Sequence, residues 1–176
     1  MAETKLIQVE SFSGKYFIKE SYRPIAQALV KKFDEISHVV VNNILFVEDQ
    51  VSTKKKAGKT IFAQISKVPE KWDDIIYQIT GRHFDYMMEI YKFNIINMSR
   101  EQIYALIYHE LRHIGTDGKM VDHEINDWIN MVEKLGMNWN TTRAPIPDLL
   151  DEGIDWDSIT GPATLFPAET TLRVVK

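Results

Sequence analysis

The chain has 176 residues, 44% hydrophobic and 26% charged, with a formal net charge of −4 and a pI near 5.7. This describes one folded domain and excludes a wholly disordered or collagen-like chain, and the acidic balance gives no global attraction for nucleic acid. There is no cysteine, so Cys-ligated zinc, a thiol nucleophile and a disulfide framework are all excluded.

Residues 23–33 read as a helix, with Ile25, Ala26, Leu29, Val30 and Phe33 at helical spacing and Pro24 in the first turn. Residues 37–47 are β-branched and apolar and read as a strand, with 60–65 as its expected partner. Between them lies a basic turn, Lys54-Lys55-Lys56-Ala57-Gly58-Lys59, which reads as a solvated hairpin tip. Residues 69–79 suggest a short helix stopped by Gly81. Residues 84–96, dense in Tyr, Met, Ile and Phe, read as a strand. That strand is either interior or an edge along which an extended peptide docks.

A strongly patterned helix starts at Ser99, a good N-cap, and Gln102 completes a capping box. Ile103, Leu106, Ile107, Leu111 and Ile114 form its apolar face, and Gly115 is a plausible stop. A loop over 115–119 leads to a second helix over 122–135, with Asp122 as N-cap and Gly136 at its end. Four of the six prolines lie beyond residue 140, and 148–157 carries five acidic residues with no basic one. The expected organisation is therefore a domain over 1–140 and a Pro-rich, acidic, irregular tail over 141–176.

The first of those two helices contains His109-Glu110-Leu111-Arg112-His113. Residues four apart lie one above the other on a helix, so both imidazoles can converge on one ion. Zinc accepts imidazole nitrogen at ~2.0–2.1 Å, and a glutamate beside the first ligand is placed as general base for water. A hydrolytic zinc needs a third protein ligand. Thr116 and Lys119 occupy the positions where the extended metzincin pattern needs Gly and a ligand, which excludes that class. Glu133 has the thermolysin-type spacing, but Val132 and Met137 do not match its neighbours. His123 and Glu124 are the remaining candidates. His123 suits the role if it is the first helical residue, where a side chain is not bound to the buried stripe.

Over residues 99–136 the chain resembles the putative phage metallopeptidase domain and, more distantly, SprT-like zincins. The resemblance rests on the His-Glu-x-x-His helix, then His123 with Glu124 where that family usually has Asp, then the aromatic Trp128. It implies an α+β, minimal zincin-like fold with a small mixed sheet packed on the motif helix. It further implies Zn2+ held by His109, His113 and His123, with Glu110 as catalytic base. The implied protein is a phage-encoded metallopeptidase acting on a peptide or protein in a host cytoplasm. The alternative keeps the metal and drops the chemistry: a zincin-fold module binding a host protein, with Trp156 and the acidic tail engaging a basic partner or covering the site. Nucleic-acid association would rest on the lysine turn alone, and no segment is long and apolar enough to cross a membrane.

The remaining residues have plainer readings. His38 and His83 fall in strand-like segments as structural histidines, and Tyr86, Tyr91, Tyr104 and Tyr108 as packing residues, one of which could steady an oxyanion. Asp127 or Asp122 could orient a ligand histidine through its second nitrogen.

Overall fold

The computed structural model describes residues 14–123, 127–141 and 146–159. Six strands and five α-helices follow in chain order. They are β1 (Tyr16–Ile18), α1 (Arg23–Lys32), β2 (Ile44–Asp49), β3 (Lys55–Lys56), β4 (Lys59–Thr60) and β5 (Ala63–Lys67), then α2 (Glu70–Thr80), β6 (Tyr86–Tyr91), α3 (Lys92–Ile95), α4 (Arg100–Leu111) and α5 (Ile129–Leu135). The architecture is α+β. A four-stranded mixed sheet runs β1-β2-β6-β5, with β2 and β6 parallel and the other pairs antiparallel.

Alternation along the strands gives the sheet two apolar faces. Ile44 and Phe46 of β2, Met88 and Ile90 of β6, and Ala63 and Ile65 of β5 join α1 and α4 in the main core. Leu45 and Val47 turn the other way and pack with Phe84 and with Ile76 of α2. The helix ends follow local chemistry. Ser99 and Gln102 form the expected reciprocal capping box, with Gln102 N–H donating to Ser99 Oγ at 3.2 Å and Ser99 N–H to Gln102 Oε1 at 2.9 Å. Pro24 sits in the first turn of α1, and α2 stops at Gly81.

Three expectations are corrected. The strand expected over 37–47 begins only at Ile44. Its first half is irregular, with a short 3-10 turn at Val41–Asn43 following another at Asp34–Ile36 just before the segment. Val39 and Val41 are buried by those turns, so the apolar run records burial rather than extension. The partner expected over 60–65 pairs not with β2 but with β6, as β5. β2 instead takes β6 in parallel, which needs the long crossover through 50–85. The strand expected over 84–96 covers only Tyr86–Tyr91, as β6, and the short helix α3 follows; of its two readings the interior one holds, and β1 and β5 are the edges.

Residues 146–159 contain neither helix nor strand and are packed against the domain. Leu149 and Ile159 enter the main core, and Trp156 lies against Phe33 and Tyr108 at 5.4 and 5.1 Å between ring centroids. Lys32 Nζ donates to the Leu149 carbonyl at 2.7 Å, and Arg100 pairs with Asp148 at 2.8 Å.

Arg23 holds α1 to the segment leading into β2. Its guanidinium is buried and donates to the carbonyls of Val41 at 2.6 Å and Ile44 at 2.9 Å, while Glu20 accepts two further bonds. Replacing it by an apolar residue removes charge-assisted bonds from two carbonyls and leaves the Glu20 carboxylate without its partner. Arg23→Met should therefore lower unfolding free energy by about 2–3 kcal/mol, read from urea denaturation; an unchanged midpoint would show the clamp to be idle.

Candidate metal centre

α4 delivers the first part of the site. His109 and Glu110 lie in its last turn, and the helix then tightens: His113 N–H donates to the Glu110 carbonyl and Ile114 N–H to that of Leu111, both at 3.1 Å. His113 thus sits on a 3-10 turn just past Leu111. The chain reverses through 115–119, closed by a bridge between Ile114 and Met120 and by Val121 N–H donating to the His113 carbonyl at 2.8 Å. Gly115 is required by this reversal, because a Cβ there would stand 2.8 Å from Val121 Cγ2 and 3.1 Å from the Lys119 carbonyl. Tyr86 Oη donates to the Gly118 carbonyl at 2.7 Å, and His38 Nε2 lies 2.8 Å from that of Ile114. The turn is pinned from both sides.

That pinned turn brings His123 back over α4. Ligating nitrogens of His109, His113 and His123 all lie within 4.8 Å of one another, and His109 Nε2 is 2.9 Å from His123 Nε2. Two imidazoles bound tetrahedrally to one zinc at ~2.0–2.1 Å have nitrogens ~3.3 Å apart, so the His109–His123 pair lies within a few tenths of an ångström of that spacing. An all-imidazole set with no thiolate suits zinc.

The second nitrogens are committed elsewhere, which turns the first ones inward. His113 Nδ1 lies 2.7 Å from the Val121 carbonyl. His109 Nδ1 is 2.9 Å from Asp127 Oδ1, close but poorly aligned for a hydrogen bond. Asp127 is itself held, accepting from Trp139 Nε1 at 2.9 Å and from the Trp128 amide at 2.7 Å. Trp128 is buried, donates its indole N–H to the His109 carbonyl at 3.0 Å, and stands 5.2 and 5.0 Å from the rings of His113 and His123. Arg112 turns away, stacking its guanidinium on Trp128 at 4.5 Å and bonding Asn130 at 3.0 Å.

The electrostatics suit a cation. Burial, with the charges of His109 and His113, pushes the His123 pKa down to about 4, so its imidazole is neutral and its lone pair free. Burial alone would also lower His109, but the Asp127 and Glu110 carboxylates hold it above its ordinary value. Asp127 is the converse case. Burial raises it, and His109, Trp139 and the Trp128 amide outweigh that and keep it below the usual range. Glu110 is buried and pushed up by that burial, against the pull of His109 and His113. Its Oε2 accepts the outward N–H of Ile65, on the edge strand β5, at 2.9 Å.

The model of the family described as Putative phage metallopeptidase matches residues 14–149. The chain belongs to this family. No curated protein and no solved structure matches it. The name attaches to a putative metallopeptidase, and the three-histidine cluster of this family member could bind a metal.

The expected second helix is corrected. It starts at Ile129 rather than Asp122, so Asp122 is no cap and His123 is not helical. The conflict between His123 and the apolar stripe vanishes because 120–123 are irregular and held by the bridge. Of the other ligand candidates, Glu133 is exposed on α5 and outside the cluster, and Glu124 lies outside the described residues. His38 and His83 are engaged in structure: His83 Nδ1 lies 2.7 Å from Asp73 and its ring stacks on Tyr77. Tyr86, Tyr91 and Tyr108 are buried packing residues, and Tyr104 is half-buried. Sequence reasoning missed Trp139, which steadies Asp127 while its carbonyl accepts from Gln102 Nε2 at 2.8 Å, and it missed the Ile65 amide.

Removing the carboxylate that positions His109 should loosen the ring without unfolding the chain. Asp127→Ala is expected to weaken zinc binding 10–100-fold, measured by competition with a chromophoric chelator. Wild-type affinity in this variant would mean that packing alone orients His109.

Proposed function

We infer that this chain is a zinc-dependent peptidase of phage origin, with a zincin-like centre in which His109, His113 and His123 hold the metal and Glu110 is the general base. The observation that carries this reading is the convergence of three imidazoles whose opposite nitrogens or rings are fixed by Asp127, Val121 and Trp128. When bound, zinc supplies Lewis acidity, which polarises a carbonyl and acidifies water toward a pKa of ~7.

The chain's own residues do the rest. The Ile65 amide fixes Glu110 through Oε2, which leaves Oε1 to take the proton from the attacking water and pass it to the departing amine. Burial favours the protonated form of that carboxyl, the form it needs in the second half of this cycle. A peptide or protein is the substrate this chemistry fits.

Elemental analysis of purified protein tests the site, and a peptide-hydrolysis assay tests the chemistry. We expect one zinc per chain, lost from His123→Ala. Glu110→Gln should keep the metal and lose at least ~100-fold in kcat. Zinc retained by His123→Ala would refute the ligand set. A wild-type chain that binds zinc and cuts no peptide would leave the binding-module alternative. Acidification should release the metal as protons compete for the imidazoles, so chelator-accessible zinc should rise as pH falls below neutrality; a pH-independent release would argue for other ligands.

A further inference from the structure

Lys54, Lys55, Lys56 and Lys59 place four cationic side chains in six residues of a chain whose net charge is −4. All four are exposed, and none forms an ion pair among the described residues. Their geometry is fixed. Ala57 and Gly58 have φ of 49° and 80°, the left-handed pair of a two-residue hairpin turn. Asn94 Nδ2 donates to the carbonyls of Lys54 at 2.9 Å and Ile61 at 2.6 Å, and Ile61 N–H donates to Lys54 at 3.0 Å.

The hairpin stands at one end of the edge that carries Glu110. Tyr91 N–H donates to the Phe62 carbonyl and Val68 N–H to that of Asp85, so even-numbered residues bond inward to β6. Ile61, Ala63, Ile65 and Lys67 therefore turn their amides outward. Lys54 occupies the outer side of Ile61, and Glu110 occupies that of Ile65. These two positions lie about 13 Å apart along this edge, four residues at ~3.3 Å, so the lysines stand within reach of a segment held beside Glu110. Among the described residues the protein's own acidic stretch pairs with none of them; its contacts run to α1 and α4, through Lys32 to the carbonyls of Leu149 and Asp151 and through Arg100 to Asp148.

We propose that this hairpin is a specificity element that selects substrate segments carrying aspartate or glutamate on the hairpin side of the scissile bond. The path of the peptide rests on the peptidase reading above; the preference for acidic segments rests on the lysines alone. An acidic peptide is favoured over nucleic acid because the lysines adjoin the strand that holds Glu110, on a chain with no other basic run.

The test uses the full chain, with zinc and after chelation, and fluorescence anisotropy of three labelled probes: a short Asp/Glu-rich peptide, its Asn/Gln counterpart and a single-stranded DNA. The acidic peptide should bind at least about tenfold tighter than the neutral one and lose that advantage in high salt. The combined variant K54Q/K55Q/K56Q/K59Q should erase the difference while keeping the wild-type thermal midpoint and zinc content. Equal binding of the two peptides, or a preference untouched by the variant, overturns the proposal. So does DNA that binds more tightly than the acidic peptide through the same lysines. An acidic peptide that is bound through the lysines but never cut would overturn the peptidase reading and leave this inference standing.

Discussion

The site depends on one carboxylate. Asp127 lies after the loop that carries His123, yet it reaches back to His109 on α4 and is held there by the indole of Trp139 and the amide of Trp128. The two limbs of the centre, His109 with His113 and then His123, are joined by the turn over 115–119. Without a tie across them, the order of the histidines would rest on that turn alone. Trp128 and Trp139 are buried, so the tie is anchored in the main core rather than at the surface. Rigidity at the histidine cluster therefore derives from hydrophobic packing several residues away.

How much of this was legible in the sequence depends on the range of the forces involved. α4 is legible because its signals are local: Ser99 and Gln102 cap it, and His109 and Glu110 fall in its last turn, with His113 just past its end. α1 and α2 were legible for the same reason. Strand order was not, because nothing in residues 60–65 states that their partner lies at 86–91 rather than at 44–49. The run at 39–41 was misread because a buried 3-10 turn and a buried strand demand the same valines. At the site, His123 could be proposed from chemistry, but the route that delivers it could not. Trp139 and the Ile65 amide were invisible, the first because its partner is long-range, the second because a backbone N–H leaves no trace in residue identity.

Charge is segregated along the molecule. The acidic run of 148–157 is stitched to α1 and α4 through Lys32 and Arg100, whereas the lysines of the β3–β4 hairpin stay in solvent on the other side of the sheet's outer strand. A net charge of −4 thus describes neither region. It is a sum over two exposed runs of opposite sign, each of which projects its own field into solvent.

The bond from Ile65 to Glu110 also bears on how the protein folds. Side chains and amides alternate along a strand, so a slip of β5 by one residue against β6 would turn Gln64 and Ser66 inward and put Ile65 in water. The same slip would carry the Ile65 amide away from Glu110, leaving a buried carboxylate without its donor. Misregistered chains are thus penalised twice, once in the core and once at the centre. Those that persist could not hold Glu110 in place, so the sheet's alignment and the readiness of the site are checked by a single hydrogen bond.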